Sequence, residues 1–351
     1  MTMRNVIKSM LLWRRRTCLL ALALTILCPI ANGQEVVVLG GVDQVKEWLE
    51  SEGWWGEVNR DEQLTVPKAI ITGINPRWRT TSQTLPVPQK KELFYRFILP
   101  LIVHANAMVM ERRDRLFRMK ATLEAGEEQS EADMQALREA AVLLRITKED
   151  AAATLSSDSE NLAAVIDEAI YKLDIVPAGL ALGQAAYESG YGTSRFAVEG
   201  NALFGQWTYG GKGLVPEQQR ESLGDHRIAA YDWPFDSVRG YFINLMSHPA
   251  YADFRKLRAN LRAEGKPLTS MALADGLIKY SERGQEYVDT LKGIMRVNGL
   301  AIADDAVFRD EPMRFIVGAE DEAAAVELRK EVARLRASGE LAQIIERMRL
   351  Q

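Results

Sequence analysis

The chain has 351 residues and a formal net charge of −4, with 26% charged and 47% hydrophobic residues. That composition is globular, long enough for one large domain or two modest ones, and lacks the basic excess that nucleic acid demands. The two cysteines, Cys18 and Cys28, both lie in the first 33 residues, so a chain trimmed there holds no thiol for nucleophilic catalysis, disulfides or metal binding.

Residues 1–33 read as an export signal. Arg4, Lys8 and Arg14-Arg15-Arg16 precede an apolar core from Cys18 to Leu27, and Ala31-Asn32-Gly33 places cleavage after Gly33. An apolar stretch of about ten residues falls short of the roughly 20 that span a bilayer, so no stable membrane span is expected after processing. Leu27 is too large a residue to precede a lipidated Cys28.

Residues 34–84 are weakly patterned: Val36 to Leu39 reads as a short strand, Val42 to Leu49 as a short helix, and Trp48, Trp54, Trp55 and Trp78 as packing residues. Residues 85–147 read as a helical lead-in. Leu93, Phe97, Leu101, Ala105 and Met108 recur at helical spacing, and Pro100 is expected to kink or divide that helix. A second helix is predicted from Ser130 to Leu144.

Residues 148–300 carry the clearest periodicity. Leu162, Val165, Ile166, Ala169, Ile170 and Leu173 share one helix face, and Pro177 opens a second helix that ends at Glu188 before Gly190 and Gly192. Leu214 to Arg220 then faces His226 to Tyr231 as a hairpin. Helical patterning resumes at Val238 to Met246, Tyr251 to Arg262, Met271 to Lys279 and Tyr287 to Val297. Residues 301–351 read as a helical appendix with Leu328, Val332 and Leu335 on one face. The expected fold class is mainly α (α+β): a helical body with a small β-hairpin lobe and helical N- and C-terminal extensions.

The position of Glu188 raises a chemical question. A helix concentrates partial negative charge at its C-terminal end, which disfavours an ionised carboxylate there; burial beside apolar and aromatic groups acts in the same direction. Glycosidic cleavage needs a carboxyl that keeps its proton near neutral pH. Gly190 and Gly192 are expected to leave room for a bulky polymer. Taken alone, a glutamate in a last helical turn is more often a structural bystander.

The surrounding residues carry a resemblance. Gln184-Ala185-Ala186-Tyr187-Glu188-Ser189-Gly190-Tyr191-Gly192-Thr193-Ser194, followed by Asn201-Ala202-Leu203-Phe204-Gly205, resembles the glucosaminidase domain of glycoside hydrolase family 73, and within it the exported Bax-type proteins. Ala230-Tyr231-Asp232, Asp236-Ser237-Val238, Tyr280-Ser281-Glu282-Arg283-Gly284 and Tyr287-Val288 follow in the family's order, and the lead-in from Leu85 to Asn106 is similar too. The likeness covers roughly residues 85–300; Tyr191 stands where the family usually has tryptophan.

The resemblance implies a lysozyme-like helical fold, a periplasmic setting, and Glu188 as general acid. The implied substrate is the β-1,4 bond between N-acetylglucosamine and N-acetylmuramic acid in peptidoglycan glycan strands. A hairpin acid of the family has been assigned to water activation, which nominates Glu217 or Glu221, with Asp225 and Asp232 as weaker alternatives. Carboxyls about 5 Å apart would give retention, and about 6.5–9.5 Å inversion. Tyr280 resembles the family tyrosine beside the acid, and reads equally as a core tyrosine bonded to backbone. Tyr191, Trp207, Tyr209, Tyr231 and Trp233 are candidate sugar-stacking rings. Asn201 is a candidate contact as well, or a turn-former through its own side chain.

No cofactor is expected, because a carboxyl can protonate the leaving oxygen directly. No metal site is expected either, since His104, His226 and His248 lack ligand spacing. The helical extensions are candidate surfaces for a protein partner. Two other readings stay open: a lytic transglycosylase, although LFGQW stands here in place of that class's GLMQ-like segment, and a non-catalytic wall-binding scaffold.

Overall fold

The computed structural model describes residues 35–59, 61–158, 160–208, 213–216 and 227–343. Residues 1–34, read from the sequence as carrying an export signal and holding both cysteines, lie outside the described residues, as do Tyr209, Glu217, Glu221, Asp225 and His226.

In chain order the elements are β1 (Glu35–Leu39), α1 (Val42–Ser51), β2 (Thr65–Val66), β3 (Ala69–Ile71), α2 (Trp78–Thr84), α3 (Val87–Glu124), α4 (Glu131–Leu143), α5 (Leu162–Lys172), α6 (Ala178–Ser189) and α7 (Arg195–Gly200). There follow β4 (Trp207–Thr208), β5 (Gly213–Leu214), β6 (Arg227–Ala229), α8 (Pro234–Ser247), α9 (Ala252–Ala263), α10 (Gln285–Val297), β7 (Val307–Phe308), β8 (Arg314–Gly318) and α11 (Glu322–Ala337). The fold is mainly helical and lysozyme-like, with small sheets.

Helix α3 organises the body. Ile98 to Val103 are all buried, so this stretch runs through the interior, and α5, α6 and α8 pack around it. The helix is long and apolar enough to cross a bilayer, yet 56% of its most apolar window is covered by the protein itself. One apolar cluster extends from Leu49 to Leu341, so the lead-in helix shares its core with the elements that follow.

Of the two outcomes expected at Pro100, a kink or a division, the division does not occur: α3 runs on through it. Proline has no N–H to give the carbonyl four residues back, here that of Arg96. The indole Nε1 of Trp54 donates to that carbonyl at 3.0 Å instead, and the Arg96 guanidinium lies 4.6 Å from the Trp54 ring centre. The N-terminal segment thus repairs the break that proline makes. Trp54→Phe keeps an aromatic ring but leaves a partly buried carbonyl without its donor, so chemical denaturation should show a loss of about 1–3 kcal/mol.

The C-terminal segment also departs from expectation. The sequence predicts a helical appendix over residues 301–351, but Arg314–Gly318 is a strand. β8 lies between β1 and β3, parallel to both, with Phe315 opposite Val36 and Ile70. Phe315, Ile316 and Val317 are buried in succession, as befits a central parallel strand covered on both faces. On one face Val38 and Val317 meet Ala325, Leu328 and Val332 from α11; on the other, Leu39, Ala69 and Ile316 meet Val45, Trp48 and Phe97. The two ends of the chain therefore build one small α/β layer against α3.

The predicted hairpin is a three-stranded antiparallel sheet with β6 in the centre, where Leu214 and Trp207 both pair with Ile228. Helix α6 is buried on nearly every side. At Gly179 a side chain would meet the Leu300 carbonyl oxygen at 2.4 Å, which is why only glycine lets the 300–303 turn close on this helix.

Candidate active site

Glu188 is the penultimate residue of α6, and the chain turns sharply behind it. Gly190, Tyr191 and Gly192 all take positive φ (58°, 59° and 75°), a conformation that glycine adopts without strain. Ser189, fully buried, locks this turn: its hydroxyl donates to the Ala185 carbonyl at 2.5 Å and accepts from the Gly192 amide at 2.8 Å. The glycines were expected to open space for substrate. Gly192 instead faces Trp78 and Phe94, where a side chain would sit within 3.5 Å of both. The glycine beside the carboxyl is Gly205, whose missing Cβ would lie 3.6 Å from Glu188 Oε2.

The carboxyl itself is partly buried. Burial raises its pKa, and a hydrogen bond from Tyr287 offsets part of the rise. That bond runs from Tyr287 Oη to Oε1 at 2.9 Å. Behind it stands a directed relay: the Gln184 amide donates to Tyr287 Oη at 2.9 Å, and Tyr241 Oη donates to the Gln184 carbonyl. Gln184 and Tyr241 are fully buried and Tyr287 nearly so, which fixes all three groups. Because Oε1 accepts the tyrosine proton, the geometry leaves Oε2, next to bare Gly205 backbone, to carry the proton of the neutral acid.

Two walls flank this carboxyl. The first is the segment from Phe204 to Trp207. Phe204 stacks on Tyr241 with ring centres 4.0 Å apart, its carbonyl accepts from Tyr280 Oη at 3.1 Å, and Gln206 accepts from Tyr231 Oη at 2.7 Å. Trp207 is 49% exposed at the end of this wall. The second wall is Tyr187, 37% exposed, edge-on to Tyr287 and hydrogen-bonded to Arg283, which in turn pairs with Glu286.

Among known proteins, residues 163–300 match the family described as "Mannosyl-glycoprotein endo-beta-N-acetylglucosaminidase". The chain is also similar to "Protein bax" of Escherichia coli (strain K12), 28% identical over 214 residues that cover 61% of this chain and 72% of that protein. Residues 163–300 match a glucosaminidase domain, and together with this relative they support a domain of the Bax type. No solved structure matches the chain significantly.

Within the glucosaminidase domain, the sequence candidates separate. Glu188 and Gly205 meet, and Tyr231 reaches the same wall through Gln206 with its hydroxyl pKa pushed up to about 12 by burial. Tyr280 stacks on Tyr287, ring centres 5.5 Å apart, but its hydroxyl goes to backbone; Tyr287 is the tyrosine that touches Glu188. Asn201 accepts from the Ile74 amide and donates to the Tyr231 and Asp232 carbonyls, so its side chain joins the N-terminal segment to the hairpin rather than facing a groove. Tyr191 packs edge-on against Phe94 and Tyr95 of α3, and Trp233 against Phe315 of β8. Both rings are partly buried and pack against the hydrophobic core.

Sequence reasoning passed over Gln184, Tyr241, Tyr187 and Tyr287 as site residues. For Gln184 a signal existed: it lies four residues before Glu188, on the same helix face, and is the polar residue of an otherwise apolar run. Among the described residues no group of three or more His, Cys, Asp or Glu is placed to hold a metal. His104 packs between Phe235 and Phe308 with its pKa lowered by burial, and His248 accepts from the Ala250 amide to cap a 3-10 turn.

Proposed function

We propose that the protein is an exported peptidoglycan hydrolase that cleaves the β-1,4 bond between N-acetylglucosamine and N-acetylmuramic acid, with Glu188 as the general acid. The observation that carries this reading is the state of one carboxyl. Glu188 has its pKa raised by burial, its Oε1 held by Tyr287, and its Oε2 beside backbone without a side chain. A carboxyl so held delivers a proton to a bridging oxygen without first reorganising. The match of residues 163–300 to a glucosaminidase family supports a glycan substrate. Tyr187, next to the acid in the chain, and Trp207, two residues after Gly205, are both substantially exposed and are the rings on which sugars would pack.

A second carboxylate would activate water from Glu217 or Glu221, which lie outside the described residues. The test is mass spectrometry of the fragments released from purified sacculi. Reducing-end N-acetylglucosamine is the expected product. Release of 1,6-anhydro-muramyl ends would replace hydrolysis by intramolecular transfer, and no release at all would leave a wall-binding role.

A further inference from the structure

A well-formed cavity lies away from Glu188. A pocket of about 460 Å³ opens at the carboxyl ends of β1, β3 and β8, with Gly192 its sole lining residue from the glucosaminidase domain. Its size lies within the range of roughly 300–1,000 Å³ typical of ligand sites, and the carboxyl edge of a parallel sheet is where such sites form. The floor is apolar, built by Ile71, Ile74, Phe94, Phe97 and Ile316, with Trp78 at one side.

The mouth is acidic. Asp43, Glu320, Asp321 and Glu322 line it against the single guanidinium of Arg77. Asp321 caps α11 through the Ala324 amide, and Glu322 pairs with Arg329 and Gln44. Arg77 is bonded to the Glu320 carbonyl. Asp43 and Glu320 are exposed, and their carboxylates have no hydrogen bond or ion pair among the described residues. The charge left unmatched beside an apolar floor is therefore negative. Gly41 and Gly73 are exposed at the same rim, and a side chain at Gly41 would meet nothing. Their bare backbone offers peptide groups for main-chain hydrogen bonds.

We infer that this pocket docks a peptide segment of a partner protein in which apolar side chains alternate with lysine or arginine. The apolar groups fill the floor, and the cations meet Asp43 and Glu320. This inference is independent of the glycan chemistry proposed above, because its readout is peptide binding alone.

The test uses three fluorescein-labelled peptides, Ala-Leu-Lys-Leu-Lys-Ala, Ala-Leu-Glu-Leu-Glu-Ala and Ala-Ser-Lys-Ser-Lys-Ala, titrated with the purified protein by anisotropy. The Leu/Lys peptide should bind at least about tenfold more tightly than the other two. The exposed double substitution Asp43→Lys with Glu320→Lys should weaken it by about tenfold or more, and Thr81→Trp, which fills the pocket while leaving the acidic rim, should do the same. Circular dichroism of both variants verifies that they are folded. Equal binding of the Ser/Lys peptide, equal binding of the Leu/Glu peptide, or unchanged binding by either folded variant would each overturn the inference.

Discussion

Glu188→Gln should lower the rate of sacculus cleavage by at least about 10²–10⁴-fold, the contribution expected of a positioned general acid, while leaving binding to sacculi unchanged. Glutamine keeps the shape and the hydrogen bond from Tyr287 but has no proton acidic enough to give to a leaving oxygen. A second consequence follows from the raised pKa. A carboxyl whose folded pKa lies above its unfolded one binds protons more readily when folded, so its contribution favours folding at low pH and is lost as pH rises through the folded pKa. Glu188→Gln removes that penalty. The variant should therefore melt at a higher temperature than wild type at pH 7–8, and the gap should close below the unfolded glutamate pKa. A variant that cleaves sacculi normally, or that melts lower at pH 7–8, would count against the assignment.

Tyr287→Phe should have the next largest effect, and one that separates it from Tyr280→Phe. The Tyr287 hydrogen bond is the interaction that lowers the Glu188 pKa against the effect of burial. Without it the acid stays protonated to higher pH, so the basic limb of the kcat/KM profile moves upward. At the same time Glu188 loses its orienting donor, and kcat at the optimum should fall by about 10–100-fold. The loss also leaves the Gln184 amide without its acceptor inside the core, which should reduce stability by about 1–3 kcal/mol. Tyr280→Phe deletes only a bond to the Phe204 carbonyl, and should leave the basic limb where it is. If both variants shift the limb equally, the relay has no special hold on the acid.

The helices Leu162–Lys172 and Gln285–Val297 were legible because each buries one face, and the 3.6-residue period survives in the sequence. Glu188 was legible for a related reason: a carboxylate ending a buried helix before Gly190 departs from every local expectation for a surface acid. β8 was not legible. Its Arg314-Phe315-Ile316-Val317-Gly318 run is five residues long, sits in an alanine-rich and charged context, and pairs with strands from the opposite end of the chain. The expectation that Pro100 could divide the helix followed the correct local rule, and a tertiary contact from Trp54 offsets the lost bond.

The choice between Tyr280 and Tyr287 was closed to sequence for another reason. The two lie seven residues apart across a 3-10 segment, Ala274–Tyr280, and the start of α10. Which hydroxyl reaches Glu188 depends on how that irregular turn aims two stacked rings, and no periodic pattern records it. The same holds for Asn201, whose polar groups are all satisfied by backbone that only folding brings near.

The central claim concerns the protonation of one carboxyl, and carbon-13 NMR of glutamate-labelled protein measures it directly. The Cδ resonance absent from Glu188→Gln identifies the residue, and its shift against pH gives the midpoint. A midpoint clearly above the ordinary glutamate range is the predicted result. A midpoint at or below that range would contradict the assignment of Glu188 as the proton donor.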